Sequence, residues 1–268
     1  LKADVNTDAV DVHSDLRIRA DVHLAAEVGT TPVPNTDLAA LALAFPLVSE
    51  ALHAAAPSHI TIKGGGHAPV GLALGGVLVD TKIKCPVTVV DKHGRWGMTD
   101  EPDPELSVMK ADDPIEGTDP SAKRVAVFIE ISQRPNTLFE EFLADLVTPV
   151  AGALRIRRNG PEWVQPAEGQ RLVDSIAQSI RDFADDHNAQ EVLLCGTFSF
   201  PMAVMLGRRL NTFSVIAYDL AKITDSSVGY PSVVDCWYHR VLTLSVTESQ
   251  ISSVNTDPIP TKRPRTFR

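Results

Sequence analysis

The chain has 268 residues, with 34 acidic and 25 basic side chains, a formal net charge of −9 and 44% hydrophobic residues. This composition is typical of a globular protein and excludes wholesale disorder. No apolar run approaches the roughly 20 residues of a membrane-spanning helix, and the acidic balance argues against nonspecific binding to long nucleic acids.

The first half is predicted to alternate strands and helices. Leu16–Ala25 is the first candidate strand, and a helix follows Asn35 and Thr36, which are suited to cap its N-terminus. The apolar runs Ile60–Lys63 and Val87–Asp91 are predicted as buried parallel strands with a second helix between them. The apolar residues of the first helix recur at helical spacing: Leu38, Leu41, Phe45, Val48 and Leu52.

The second half follows the same order. Val125–Ile131, Val192–Cys195 and Val215–Asp219 are its candidate strands. Asn159-Gly160 lies between two strand-like runs and predicts a hairpin insertion near 150–166. Two helices between the first and second strands are indicated by apolar residues at helical spacing: Leu138, Phe142 and Leu146, then Leu172, Ile176, Ile180 and Phe183.

An internal repeat relates the two halves. Pro69–Leu78 matches Pro201–Leu210, with Pro, Leu, Gly and Leu identical. The shift that carries Pro69 onto Pro201, here called the repeat spacing, also aligns Ile60–Lys63 with Val192–Cys195. Each half therefore reads strand, turn, helix, strand.

This repeat predicts the fold and its organisation. We predict an α/β fold of two Rossmann-like units in tandem, each with a mostly parallel sheet. The predicted organisation is a first unit at 1–98, a linker at 99–123, a second unit at 124–256 with the hairpin insertion, and a flexible tail at 257–268.

The cysteine pattern and the start of the chain bear on its environment. Cys85, Cys195 and Cys236 are an odd, widely spaced set, which indicates buried, reduced thiols in a cytoplasmic protein. The segment Leu1–Asp15 contains four acids and no apolar stretch, so we expect no signal peptide. We also expect that a chain beginning at Leu1 is part of a longer protein.

The common enzyme signatures fail. Gly64–Pro69 follows a strand and opens a helix, but it lacks the third glycine of a dinucleotide fingerprint and the Lys-Ser/Thr of a P-loop. The second copy, Gly196–Pro201, lacks the flanking glycines of a nucleophile elbow. No His-Glu-x-x-His, cysteine pair or close His/Asp cluster indicates a metal site. We therefore predict no catalytic residue, no metal and no cofactor.

The two repeated turns favour ligand binding. In open α/β sheets, ligands bind at the carboxyl ends of strands, where helix N-termini present N–H groups to anions. If the halves pack about a pseudo-twofold axis, both turns face one cleft, which would suit a ligand with two or three similar phosphate-bearing units. The alternative is that tight turns require these glycines and that His67 is a solvated turn residue. The turn residues are Gly64, Gly65, Gly66 and His67, and Gly196, Thr197, Phe198 and Ser199.

Other strand ends add candidates. The Lys92–Trp96 loop offers two cations and a ring that could stack on a base, although Trp96 could instead cap the sheet edge. Ser132–Asn136 offers hydroxyl, amide and guanidinium donors, and Arg134 could face a ligand or solvent. Trp163 could be a lid or a core residue.

Three segments of the second half resemble one family. Val125–Ser132, Glu191–Leu210 and Val215–Asp219 resemble the SAVED domain, which is similar to two fused CARF-type units and is the sensor of bacterial CBASS antiphage effectors. The first half matches this family as a pattern. The resemblance implies two CARF-like units related by pseudo-twofold symmetry. It also implies a receptor for a cyclic oligonucleotide made by a partner nucleotidyltransferase.

The resemblance further implies how such a receptor works. Ligand binding would drive homo-oligomerisation and activate an effector fused N-terminally, such as an HNH or other endonuclease, a TIR NADase or a protease, with a nuclease as the first choice. Nucleic acid would then be contacted only through that effector, and we expect no membrane partner. A cyclic dinucleotide such as a cGAMP isomer is the first expectation, and a cyclic trinucleotide is the second. By position in the repeated turns and strand ends, the candidate ligand-binding residues are Lys63, Gly64, Gly65, Gly66, His67, Lys92, Arg95, Trp96, Ser132, Gln133, Arg134, Trp163, Thr197, Phe198, Ser199 and Tyr230.

Two other functions stay open at this point. A metal-independent ring nuclease could use His67, Ser199 and Arg134 to orient a ribose 2′-hydroxyl for in-line attack. A structural α/β module without a small ligand would have an apolar rather than a polar cleft.

Overall fold

The computed structural model describes residues 35–97, 108–131, 138–146, 148–159, 164–210, 212–223 and 235–244. The first unit, 35–97, comprises α1 (Asn35–Ala55), β1 (Ile60–Lys63), α2 (Ala68–Val77), β2 (Val87–Asp91) and β3 (Gly94–Trp96). Its sheet has the order β1-β2-β3, in which β1 and β2 are parallel and β3 returns antiparallel to β2. The predicted strand Leu16–Ala25 lies outside the described residues.

The second unit, 108–244, is built on a larger sheet. Its elements are β4 (Val108–Ala111), β5 (Ile115–Glu116), β6 (Arg124–Glu130), α3 (Leu138–Asp145), β7 (Gly152–Asn159), α4 (Pro166–Asp186), β8 (Glu191–Thr197), α5 (Phe200–Arg209), β9 (Ser214–Ile223) and β10 (Asp235–Leu244). The sheet order is β10-β9-β8-β6-β7-β4, and β5 also pairs with β7. β9, β8, β6 and β7 are mutually parallel, whereas β10, β4 and β5 are antiparallel to their neighbours. The predicted α/β architecture with largely parallel sheets is confirmed.

Burial explains the apolar strand runs. All residues from Val125 to Ile129 are at most 1% exposed, so β6 is covered on both faces of the sheet. One face packs into a large core that contains residues of both units, and the other contributes Phe128 to a smaller cluster with Phe139 and Phe142. A continuous apolar run is the pattern that such a doubly covered parallel strand requires.

The helix α4 covers one face of this sheet. Gln165 precedes it, and its backbone N–H donates to the Glu168 carboxylate at 3.1 Å in a capping box. The four predicted apolar residues, Leu172, Ile176, Ile180 and Phe183, are at most 5% exposed. Burying side chains of this size contributes about 1.5–3 kcal/mol each, which fixes the helix on the sheet.

The helices α2 and α5 pack against each other through equivalent positions of the two repeats. A Cβ on Gly75 would collide with the Val204 carbonyl oxygen, and a Cβ on Gly207 would collide with that of Leu72. The repeat spacing carries Gly75 onto Gly207 and Leu72 onto Val204. Each helix therefore presents the same positions to the other, which confirms the pseudo-twofold relation between the repeats.

Two details of the predicted organisation can be compared with the described strands. β7 pairs with β4, β5 and β6, all earlier in the chain, and α4 begins at Pro166, but residues 160–163 of the hairpin predicted near 150–166 lie outside the described residues, so the hairpin stays a prediction. Part of the predicted linker forms β4 and β5, which cover the edge of β7. An unpaired edge strand exposes backbone donors and acceptors, so these short strands satisfy β7 where polar composition suggested a linker. The unit boundaries themselves stay a prediction.

Two further expectations concern single residues and helices. Cys85 and Cys195 are buried, at 9% and 1% exposure, as predicted. Of the helices in the described ranges, none is both long and apolar enough to cross a membrane.

Candidate functional site

The turn between β1 and α2 is shaped by its backbone. Gly64 follows β1 with φ +131°, a conformation that favours glycine, and its N–H donates to the Val90 carbonyl at 3.1 Å. His67 is extended at the N-cap and is 8% exposed. Pro69 lies in the first helical turn, which contains no acidic residue. The positive end of the helix dipole therefore meets no carboxylate from this turn.

The turn between β8 and α5 repeats this geometry. Gly196 has φ +157°, and Ser199 is the extended N-cap residue, with φ −75° against −68° at His67. Pro201 lies in the first turn of α5, which again contains no acidic residue. Because these positions match at the repeat spacing, the repeat found in the sequence is also a repeat of backbone conformation.

The two turns lie at the same end of the paired helices. A Cβ on Gly66 would lie 3.3 Å from the ring of Phe200, the first residue of α5. Further along, Gly71 faces Ala203 and Gly75 faces Val204, so the contacts advance together along both helices. Both N-termini consequently lie side by side. First-turn N–H groups have no intrahelical partner, so this end of the pair offers two adjacent sets of donors to an anion.

Two buried hydroxyl groups in the second turn have no hydrogen-bond partner within the described ranges: Thr197 Oγ1 and Ser199 Oγ. Ser199 also makes no side-chain capping bond to α5 there. A buried hydroxyl without a partner is costly, and a native site that contains two of them is suited to a polar ligand or water. Phe198 and Phe200 beside them pack on the large core.

On β6, the strand that pairs with β8 beside Thr197, the charge of Glu130 is compensated by an arginine. Glu130 is paired in register with Thr197, and its carboxylate accepts from Arg155 Nη2 at 2.5 Å and Nε at 2.9 Å. Arg155 also lies 5.7 Å from the centre of the Phe139 ring. Sequence reasoning missed this pair. The available signal was Arg155 between the apolar residues Leu154 and Ile156 of a strand, because a cation buried at such a position requires a partner.

The neighbouring arginines of β7 are paired as well. Arg158 donates to Glu168 at 2.7 Å, and the two side chains are only 1% and 7% exposed. Arg157 donates to Asp112 at 2.6 Å, and this hydrogen bond raises the pKa of the guanidinium. These side chains therefore bind β4 and α4 to β7 and are committed to structural contacts.

Trp96, predicted to stack on a base, is buried in the described structure. It is 2% exposed, its Nε1 donates to Asp91 Oδ1 at 2.9 Å, and a Cβ on Gly169 of α4 would lie 2.6 Å from its ring. With 2% of its surface exposed and its Nε1 already bonded, Trp96 leaves little surface for a ligand in this structure. The alternative, in which the ring closes the edge of the sheet, is the one that the structure supports.

The cations of the first unit are exposed, but two of them lie on the far side of its sheet. Lys63, Val90 and Arg95 pair across β1, β2 and β3, so their side chains share one face. Trp96, one residue further, faces α4 on the opposite side. Lys63 and Arg95 are thus directed away from the second unit. Lys92 lies exposed in the β2–β3 turn.

The other predicted residues lie outside the described residues: Ser132, Gln133, Arg134, Trp163 and Tyr230. The structure therefore brings together the two turns, from Gly64 to His67 and from Gly196 to Ser199. Within the described ranges, no group of three or more His, Cys, Asp or Glu side chains could hold a metal ion.

A cleft of about 600 Å³ lies at the opposite ends of α2 and α5. Its charged residues include Asp80 and Lys84 from the first unit and Asp174, Arg208 and Arg209 from the second. Asp80, Asp174 and both arginines form ion pairs with one another, so most of this charge is already compensated. The paired helix N-termini with their unpartnered hydroxyls are the better candidate for an anionic ligand.

Comparison with known proteins gives one family and several similar structures. The family model described as the SMODS-associated and fused to various effectors sensor domain, SAVED, matches residues 46–235. Three structures of the Acinetobacter baumannii Cap4 SAVED/CARF-domain containing receptor are similar at 15% identity. The receptor with 2′3′3′-cAAA gives a TM-score of 0.58 over 69% of this chain and 41% of that chain. The receptor with 3′3′3′-cAAA gives 0.59 over 71% and 43%.

The third receptor structure gives a TM-score of 0.53 over 79% of this chain and 42% of that chain. The matches thus span about two fifths of the length of the solved receptors, and they show the fold. No curated protein matches this chain.

Proposed function

Since this chain belongs to the SAVED family of sensor domains, we propose that it binds a cyclic oligonucleotide between its two repeated turns. The observation that carries this proposal is the side-by-side pair of helix N-termini, with matching turns and two unpartnered hydroxyls. A cyclic oligonucleotide repeats its phosphate and ribose, as the two turns repeat their donors. N–H groups of the helix ends would hold phosphates, and Thr197 and Ser199 would bond to ribose or base.

The size of the ring is a separate part of the proposal. Two of the similar structures of the Cap4 receptor contain a cyclic trinucleotide, which supports a ring of three nucleotides as the first ligand to test. A cyclic dinucleotide such as a cGAMP isomer stays a prediction from the sequence resemblance. We propose binding without turnover; the alternative is the ring nuclease, in which the ribose 2′-hydroxyl of the ligand would be the nucleophile.

The test is a calorimetric titration of the protein with 3′3′3′-cAAA, 2′3′3′-cAAA and a cGAMP isomer. We expect saturable binding of at least one ring, and chromatography of the ligand after prolonged incubation should recover it intact. Absence of binding to all three at about 100 µM would contradict the sensor function. Linear products would instead favour the ring nuclease.

The contribution of the second turn can be isolated with hydroxyl deletions. Thr197→Val and Ser199→Ala should each weaken binding by about tenfold, which corresponds to one lost hydrogen bond. Ser49→Ala is the matched control, since Ser49 Oγ on α1 is also buried without a partner among the described residues. Equal effects of all three variants would mean that the turn hydroxyls do not contact the ligand.

We propose that binding also controls assembly and output. A polyanion that contacts both turns would favour one orientation of the units through its differential affinity, and that orientation would favour self-association. Activation of a fused effector, with an endonuclease as first choice, would follow. Light scattering of this chain with the bound ring should report an increase in mass, and an unchanged mass would contradict ligand-driven assembly.

A further inference from the structure

Asp80 joins the two units at the end of the helix pair that is remote from the repeated turns. It follows α2, and its Oδ1 accepts from Arg208 Nη2 while its Oδ2 accepts from Arg209 Nη1 at 2.7 Å. Both arginines are in the last turn of α5. These three residues, here called the Asp80 cluster, thus connect the first unit to the second by charge-assisted hydrogen bonds.

The cluster breaks the symmetry of the repeat. At the repeat spacing, Arg208 corresponds to Gly76 in the first half, and Asp80 corresponds to Thr212 in the second. The equivalent ion pair on the other side of the pseudo-twofold axis therefore cannot form. Arg208 is 8% exposed, so its charge is compensated largely by this one carboxylate rather than by water.

The helix crossing itself is a close contact between two backbones. It is made by Gly71, Gly75, Ala203 and Gly207, and the absence or small size of their side chains lets the two backbones approach closely. Side chains that interlock are what fix the angle between packed helices. Contacts outside the crossing therefore contribute to the angle between α2 and α5: Trp96 packs on α4, and the Asp80 cluster joins the carboxyl ends of the two helices.

We propose that Asp80 is a positioning residue for ligand binding: it fixes the angle between α2 and α5 and thereby the spacing of the two turns at their N-termini. This inference rests on the proposed function, because the turns are taken as the ligand site. Loss of the cluster would widen the range of spacings, so that only a fraction of molecules is competent to bind.

The matched control for Asp80→Asn is Asp174→Asn. Asp174 accepts from Arg209 Nε at 2.8 Å, but both residues belong to the second unit. The two aspartates are similarly exposed, at 41% and 48% of the side chain. Only Asp80→Asn removes a charge contact between the units, whereas both variants remove the same charge and one partner of Arg209.

The first measurement needs no ligand. Spin labels would be attached through a ketone-bearing amino acid at the exposed positions 59 and 185, one in each unit, and their distance distribution measured by electron–electron double resonance. Asp80→Asn should broaden or shift the distribution, and Asp174→Asn and Asp80→Glu should leave it as in the wild type. High salt should reproduce the Asp80→Asn effect in the wild-type protein. An unchanged distribution in Asp80→Asn would overturn the positioning role.

The second measurement is calorimetric affinity for whichever ring the wild type binds. We expect Asp80→Asn to weaken binding about fivefold or more, Asp174→Asn to stay within about twofold, and Asp80→Glu to restore wild-type affinity. Equal losses in Asp80→Asn and Asp174→Asn would reduce the effect to general electrostatics and overturn the inference. If the wild type binds no ring, the proposed function fails, while the distance measurement still decides whether Asp80 fixes the units.

Discussion

At the scale of single residues, burial decides what a side chain can do. The hydroxyls of Thr197 and Ser199 are buried without a partner in the described structure, at a cost of about 1–3 kcal/mol each. A ligand that forms hydrogen bonds to these hydroxyls removes that penalty, and the free energy gained in this way contributes to ligand affinity. Trp96 is the opposite case, because its polar atom and its ring are both already occupied by the protein.

Trp96 should therefore be a stability residue. Trp96→Ala removes a side chain that packs against Gly169 and is expected to lower the free energy of unfolding by about 3–5 kcal/mol. Trp96→Phe, which keeps most of the packing and loses the bond to Asp91, should cost about 1 kcal/mol. Urea unfolding measures both. A Trp96→Ala protein of wild-type stability with weakened ligand binding would return Trp96 to the ligand site.

Asp119 links stability to acid pH. The Ser121 hydroxyl donates to Asp119 Oδ1 at 2.7 Å and the Ser121 N–H at 2.9 Å, which lowers the pKa of the carboxyl below 3.8. A carboxyl with a lowered folded pKa stabilises the protein above its unfolded pKa, and this contribution is lost as pH falls through the folded pKa.

The matching prediction concerns Ser121→Ala. It should be less stable than wild type at pH 7, and the difference should shrink below about pH 3.8, as urea unfolding at several pH values would show. In an Asp119→Asn background, Ser121→Ala should have the same effect at every pH. A pH-independent effect in the wild-type background would contradict the linkage.

At the scale of elements, the contact of α2 with α5 depends on absent side chains. A Cβ on Gly75 would collide with the Val204 carbonyl oxygen and would lie 3.0 Å from the Arg208 backbone nitrogen. Backbone atoms cannot move aside as side chains can. Gly75 and Gly207 thus set how closely the two helices, and with them the two units, approach each other.

Gly75→Ala should therefore separate the helices. We expect a loss of about 1–3 kcal/mol in the free energy of unfolding, although alanine favours helix more than glycine does. Gly65→Ala is the control, because a Cβ there has no atom within 4 Å. Thermal unfolding compares the two, and a Gly75→Ala protein as stable as the control would contradict the close approach of the backbones.

At the scale of the whole molecule, one ligand should bind two units. The turns come from different halves of the chain, yet both begin helices of one pair, and the core beneath them is continuous across the units. Binding should therefore act on both turns at once and leave the distant sheet edge β4 unaffected.

Hydrogen exchange with the bound ring tests this directly. Residues 64–71 and 196–203 should both gain protection, whereas 108–111 should be unchanged. At about one hundred times Kd, the ligand should add about 2.7 kcal/mol to the free energy of unfolding. Protection confined to one of the two turns would contradict a site shared by both.

The amino-acid pattern alone was enough to establish the repeat, the order of its strands and helices, and the two turns, because buried parallel strands need continuous apolar runs and helix starts tolerate Pro69 and Pro201. The resemblance of three segments of the second half to SAVED domains also predicted the family to which the chain belongs. Which faces these elements present became clear only in three dimensions. The packed chain buries Trp96, turns Lys63 and Arg95 to the far face, pairs β7 with earlier strands and joins Asp80 to α5. Those outcomes depend on contacts between residues that are distant in sequence, where local periodicity contains no information.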